Sequence, residues 1–389
     1  MLRYSYLPRK VLSLVSTLWR CGPTNVLEGI VRGYDPGNYQ ATVATLSPNP
    51  SDSALKDFHS FGVPVEEMNL SRAASFLIGT RRLRDMIQSS NIDLVHCHGF
   101  RADVLFSRCE LQVPAVSTIH SDILTDYQLV YGNFAGKWMA RREFASLCRF
   151  DQVVAVSETT AEALRSQGVQ CEVIANGIDL NTYRPPSSLS EKLLLRERLR
   201  LPLERTVVLH TGSLTSRKQP VEGVVGFRSS RLSENAVLLV AGEGPLRRQC
   251  ERAADGAKNI FFLGKRQDVP DLLRASDVLI SNSISEGLPM ALLEGCACGT
   301  RVIASDIPPH RHIRDMFAQQ VFIYSGHDPQ AVAAALDANS PGEVVPILQP
   351  PRESLDAISA SRMSRAYQSL YDALCARDSL RRRTAVSQS

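Results

Sequence analysis

The sequence lacks the marks of several large protein classes. No run approaches the roughly 20 consecutive apolar residues that a membrane helix requires. The nine cysteines (21, 97, 109, 148, 171, 250, 296, 298 and 375) contain no CxxC pair. Most sit in apolar or helical surroundings, as in Leu147-Cys148 and Gly295-Cys296-Ala297-Cys298. They read as reduced core thiols rather than a disulfide frame or metal site, which predicts a cytoplasmic protein. A strong charge of one sign is also missing. The net charge is +4, and residues 1–188 hold eighteen Lys/Arg against eighteen Asp/Glu. Part of the excess is Arg381-Arg382-Arg383, which reads as a solvated tail, with weak attraction to anionic lipid as the sharper alternative. With no zinc-finger spacing and no aromatic-rich basic platform, nucleic acid is not an expected partner. The apolar stretch 11–15 after Arg9-Lys10 is short and lacks a small-residue cleavage site, so it predicts a buried first strand rather than a signal peptide.

What is present is alternation. At 389 residues the chain has room for two ordinary domains. Short β-rich runs at 11–18, 41–46, 92–96, 115–119 and 153–156 alternate with helix-length segments in the first half. Runs at 206–210, 236–240, 260–263, 277–281, 302–304 and 321–324 do the same in the second. This pattern predicts an α/β protein with two parallel sheets, each covered by helices on both faces. The polar, Pro-rich stretch 181–188 marks the seam. The expected organisation is residues 1–184, residues 185–351, a crossover helix at 352–376 and a frayed basic tail at 377–389. Ligands of such sheets bind beyond the carboxyl ends of the strands.

The segment Ser285-Glu286-Gly287-Leu288-Pro289-Met290-Ala291-Leu292-Leu293-Glu294 follows an expected strand. Pro289 suits the first position of a helix, whose start would aim backbone N–H groups at the crevice. Glu294 falls among apolar and small residues, an expensive place for an unpaired charge. The plain alternative is a capping acid at 286 and a surface acid at 294.

This segment resembles the E-x7-E signature of retaining glycosyltransferase family 4. Asn176-Gly177-Ile178-Asp179 with Tyr183-Arg184-Pro185, Gly242-Glu243-Gly244-Pro245 and Gly264-Lys265-Arg266-Gln267-Asp268 match other family stretches in the family's order. The resemblance covers about residues 10–335. It implies a GT-B fold: two Rossmann-like domains facing across a cleft, with a C-terminal helix crossing back to the first. It further implies a nucleotide-sugar donor, a glycan or lipid-linked acceptor, and no metal, which the lack of an Asp-x-Asp fits. Peripheral contact with the inner face of a membrane is an expectation by analogy.

By the same resemblance Glu294 holds the ribose hydroxyls and Glu286 the donor sugar. The backbone of Gly287, Leu288, Pro289 and Met290 holds phosphate or sugar, Arg266 lies beside the base, and Gly22 faces the diphosphate. His120 ends a strand and matches the position that contacts the donor sugar; His98, Arg101, Asp122 and Asp126 are candidate acceptor contacts. The phosphate clamp departs from the pattern. In Gly212-Ser213-Leu214-Thr215-Ser216-Arg217-Lys218-Gln219, Lys218 is in register, but Ser213 stands where an Arg is usual and Gln219 where a Gly is usual. Arg217 is the neighbour able to replace the lost cation. A sugar-nucleotide epimerase, or a binding module without turnover, are the rival readings; a dinucleotide dehydrogenase is poorly supported, because no third glycine follows Gly244.

Overall fold

Apolar, β-branched residues build the strands where the alternation places them. The computed structural model describes residues 7–339 and 347–387. In the first unit β1 (Arg9–Val15), β2 (Tyr39–Thr45), β3 (Val65–Glu67), β4 (Leu94–His98), β5 (Ala115–Ile119), β6 (Gln152–Ala155) and β7 (Glu172–Val173) form one parallel sheet. Their order is β3-β2-β1-β4-β5-β6-β7. Every residue of β4 and β5 is buried, as expected for central strands covered on both faces. In the second unit β8 (Thr206–Thr211), β9 (Ala236–Ala241), β10 (Ile260–Gly264), β11 (Val278–Ser281), β12 (Arg301–Ser305) and β13 (Val321–Tyr324) run parallel in the order β10-β9-β8-β11-β12-β13. The strand order reverses direction between β1 and β4 in one sheet and between β8 and β11 in the other. These are the two points where a ligand crevice is expected.

The boundaries differ from the sequence reading. The second unit is Ile178–Ser359, and the first comprises what precedes it plus the helix Ala360–Ser387. The polar stretch expected to be a seam is folded onto the second unit. Ser187 donates to Glu191 from N–H and hydroxyl at 2.6 and 2.7 Å, and Ser188 caps the helix Leu189–Arg198. Polar residues that serve a helix cap look, in sequence, like linker. The expected single helix from 352 is two, Arg352–Ala357 in the second unit and Ala360–Ser387 in the first. The latter continues as helix through 377–387, where the sequence predicts a frayed tail. The side chains of Arg382 and Arg383 lie outside the described residues.

The helix Ala360–Ser387 docks on the helix Gly22–Arg32 through close contact. A side chain at Gly33 would come within 2.5 Å of Ser364 Cβ, so only glycine admits that approach. Tyr367 and Tyr371 are wholly buried beneath it. His96 bridges Tyr371 Oη and Thr118 Oγ1, each at 2.7 Å, and Thr118 meets Tyr367 Oη at 2.9 Å. Burial lowers the His96 pKa to about 3, so it works as a neutral tie between sheet and helix.

The second unit has a buried ion cluster. Lys192 and Arg196 reach opposite oxygens of Asp277 at 2.6 and 2.5 Å, and the N–H of Val207 donates to it at 2.8 Å. The three side chains are 3–7% exposed. Asp277 therefore fastens the helix Leu189–Arg198 to the N-terminal edge of β8 and β11, at the end of the sheet away from the crevice.

Candidate functional site

In the second unit, glycines let two loops close over the strand ends. Gly242 (φ +153°) has no room for a Cβ, which would fall 1.8 Å from Gly212 O; at Gly244 a Cβ would meet Leu214 O at 2.5 Å. The loops zip through Gly212 N–H to Ala241 O (3.0 Å) and Leu214 N–H to Glu243 O (2.9 Å). This Gly-x-Gly is thus a packing device. Gln219 sits in the left-handed region at φ +47°, a conformation that favours glycine.

The strand ends bring together residues far apart in sequence. Glu286, in the loop after β11, is 5% exposed at its side chain. It accepts from Ser283 Oγ at 2.7 Å, from Arg217 Nη1 at 2.8 Å, and from Lys218 Nζ. Arg217 also donates to Ser285 O at 3.1 Å. Burial pushes the Glu286 pKa up, but Lys218 and Arg217 outweigh it and hold the carboxyl at about 2. Glu286 is therefore ionised at any physiological pH. Ser213 points to solvent, so the second cation of the cluster comes from Arg217, one residue before the register lysine.

The helix Met290–Ala297 begins one residue later than the sequence predicts; Pro289 is its N-cap, with a non-helical ψ of 89°. Glu294 lies inside this helix and is buried, with Tyr183 as hydrogen-bond partner and Lys218 near enough to act on it. Burial raises its pKa from 4.5 to about 7. Between those values the folded chain keeps a proton that the unfolded chain has lost, so Glu294 removes stability as pH rises through the window. Glu294→Gln should consequently stabilise the protein by on the order of 3 kcal/mol at pH 8 and by little at pH 4. Unfolding midpoints across pH test this; an equal effect at both ends would mean that Glu294 is not the group titrating.

Two histidines that the sequence reading passed over flank the cluster. His310 is fully buried, its Nδ1–H donates to Ser305 O at 2.8 Å, and Ser305 Oγ donates to Ser283 O at 2.6 Å. This chain supports the loop that carries Glu286. His210, at the end of β8, is buried without a hydrogen-bond partner on either ring nitrogen. Burial lowers both to a pKa of about 4, with Lys218 adding to the effect at each. Arg266, in the loop after β10, forms a two-pronged pair with Asp268 at 2.7 and 2.5 Å. That leaves its main chain, rather than its guanidinium, to meet a ligand.

The first unit has a cavity of about 260 Å³ at the ends of β1, β4 and β5. His98 and His120 line it, in contact through Nδ1 and Nε2 at 3.1 Å with stacked rings. Burial lowers both pKa values, His120 to about 4. The wall also includes Trp19, Tyr127 and Glu143. Glu143 accepts a hydrogen bond from the Tyr127 hydroxyl and shares another with buried Asp103, itself held by Ser117 Oγ at 2.8 Å. Two carboxyls in contact cannot both ionise cheaply. Burial raises both pKa values, Glu143 to about 7.

Not every candidate reaches this cavity. Gly22 opens the helix Gly22–Arg32, and its neighbours Cys21, Pro23 and Thr24 line the wall. Arg101 instead joins Ser47 Oγ (2.6 Å) and Ser75 Oγ (2.9 Å). Asp122 is the N-cap of the helix Ile123–Leu147, accepting from Leu124 and Thr125 N–H. Neither Arg101, Asp122 nor Asp126 is part of the cavity wall. Asp103 and Glu143 are not among the residues the sequence singles out; the one signal for Glu143 is that it shares the buried face of Gly136, Ala140 and Leu147.

Comparison with known proteins agrees with this geometry. Residues 22–182 match the family model "Glycosyltransferase Family 4", and residues 191–339 match "Glycosyl transferases group 1". The chain is 26% identical to an Escherichia coli UDP-Gal:alpha-D-GlcNAc-diphosphoundecaprenol alpha-1,3-galactosyltransferase, over 58% of this chain and 60% of that protein. It is 27% identical to the D-inositol 3-phosphate glycosyltransferase of Salinispora tropica, over 71% and 62% respectively. The match thus spans about three-fifths of each curated relative. Among solved structures, Anabaena HepE in complex with UDP and glucose superposes with a TM-score of 0.77 at 17% identity, covering 94% of this chain and all of that one. Sucrose-phosphate synthase from Thermosynechococcus elongatus gives 0.71 at 18%, covering 98% and 100%. The two Rossmann-like sheets have the GT-B architecture of these neighbours.

Proposed function

The chain belongs to glycosyltransferase family 4, and from that premise we propose that it moves a hexose-type sugar from a nucleotide-sugar donor, a UDP-sugar first among candidates, to a glycan or lipid-linked acceptor. One observation carries the reading: an ionised, buried Glu286 converges with Lys218 and Arg217 at the reversal point of the second sheet, one helical segment from a second buried acid, Glu294.

In this reading Lys218 and Arg217 take the donor diphosphate, whose negative charge grows as the bond to the sugar breaks. Glu286 then exchanges cations for sugar hydroxyls, and Glu294 receives the ribose hydroxyls. The acceptor occupies the cavity of the first unit, where His98 and His120, both neutral, offer hydrogen bonds without charge. The acceptor hydroxyl attacks from the face the phosphate leaves, a phosphate oxygen takes its proton, and the anomeric configuration is retained. Two side-chain cations supply the charge that a metal would otherwise bring, so catalysis is metal-independent. One of the named relatives acts on a sugar linked to diphosphoundecaprenol, and synthesis of a surface polysaccharide on such a lipid carrier is the setting of this reading.

Screening nucleotide-sugars by thermal shift, then following release of nucleoside diphosphate with and without a chelator, tests the proposal. A stabilising donor whose turnover is indifferent to the chelator is expected. Loss of turnover on chelation would defeat the metal-independent scheme, and an absence of stabilisation by any nucleotide-sugar would defeat the donor assignment.

A further inference from the structure

The helix Ile123–Leu147 is broken at Gly132, whose backbone (φ +79°, ψ 170°) turns the chain out of the helix. The second arm passes back against the first. At Gly136 a Cβ would fall 2.5 Å from Tyr127 O, so the two backbones touch. Gln128 and Asn133 join across the turn at 2.9 Å, and Tyr127 bonds Glu143 on the other arm. The hairpin is therefore fixed in place, and what its tip shows to solvent is built in.

That tip is apolar. Leu129 is 38% exposed, Val130 69%, Tyr131 48%, Phe134 92% and Trp138 61%. On the second arm Phe134, Lys137, Trp138, Arg141 and Arg142 recur at helical spacing on one exposed face, while Gly136, Ala140, Glu143 and Leu147 form the buried one. Between Asp126 and Asp151 the only acid is Glu143, which is buried. Aromatic and aliphatic groups at a tip, flanked by exposed cations and no exposed acid, complement a bilayer interface with anionic headgroups.

We propose that this hairpin tip is a membrane-docking surface: Phe134, Trp138 and the 129–131 segment enter the interface of an anionic bilayer, and Lys137, Arg141 and Arg142 engage its headgroups. The inner sides of the same two arms supply Ile123, Tyr127 and Glu143 to the cavity wall. Docking would thus hold that cavity beside the membrane, where a lipid-linked acceptor resides. The surface itself does not depend on the transferase reading.

The chain has two tryptophans, so Trp19→Phe leaves Trp138 as the sole reporter. Its emission should shift to the blue with vesicles of phosphatidylglycerol and phosphatidylcholine, and stay unchanged with phosphatidylcholine alone. Lys137→Gln with Arg141→Gln and Arg142→Gln should weaken vesicle binding about fivefold per residue, roughly a hundredfold together. Phe134→Ser with Trp138→Ser should weaken it about tenfold or more, measured by co-sedimentation. Unchanged thermal unfolding midpoints would show that these surface variants fold. No blue shift, or equal co-sedimentation of parent and variants, would overturn the proposal; the latter would move the contact elsewhere, as to the Arg381 run. Self-association abolished by the Ser variants would make the tip a contact between copies instead.

Discussion

Lys218→Ala is expected to lower turnover about 10²- to 10³-fold, the scale of losing one donor to a developing negative charge. The sequence register singles out Lys218 and would make Arg217 a lesser neighbour. The geometry changes that expectation. Both cations sit on the same buried carboxylate, Arg217 at 2.8 Å and Lys218 on the opposite oxygen, while Ser213 offers no charge. Arg217→Ala should therefore fall within about tenfold of Lys218→Ala. Steady-state rates with the donor found by thermal screening decide the matter. A normal rate for Arg217→Ala would make its link to Glu286 a resting contact only, and a normal rate for Lys218→Ala would remove the clamp.

Asp277→Asn should cost about 3–5 kcal/mol of stability, the usual penalty for leaving buried charge uncompensated. Two cations depend on this one carboxylate, and neither has access to bulk water at 6–7% exposure. Burial already pulls the Lys192 pKa down against the effect of Asp277, so without the acid Lys192 would have to lose its proton or expose itself. Because the cluster lies at the other end of the sheet from Glu286, the folded variant should bind nucleoside diphosphate normally. Urea unfolding of the second unit measures the cost. A change below about 1 kcal/mol would show that water reaches the cluster.

The central strands were readable because strands buried on both faces must be almost continuously apolar, as β9 is. The strands β3 and β7, of three and two residues, have no such run; they are edge strands placed by their neighbours. Helical spacing of apolar positions is legible only over 137–147, so the first arm of the helix Ile123–Leu147 and its break at Gly132 were not. Among candidate site residues, Glu286 and Glu294 were readable from one motif and Lys218 from the register of another. Arg217 was readable only as a neighbour able to replace the lost cation, because whether it turns inward depends on the fold of the loop, here a 3-10 turn at Ser216–Lys218. The Asp103–Glu143 pair joins two successive helices, Phe100–Ser107 and Ile123–Leu147, and only packing brings such acids together. Asp122 looked available for a ligand because a capping side chain and a binding side chain share the same chemistry.

The central claim is that a donor displaces Glu286 from its two cations. A crystal structure with a nucleoside diphosphate tests it most directly. The diphosphate should lie against Lys218 and Arg217, with both links to Glu286 opened and the ribose hydroxyls on Glu294. Diphosphate bound elsewhere, with the Lys218–Glu286–Arg217 cluster intact, would contradict the account.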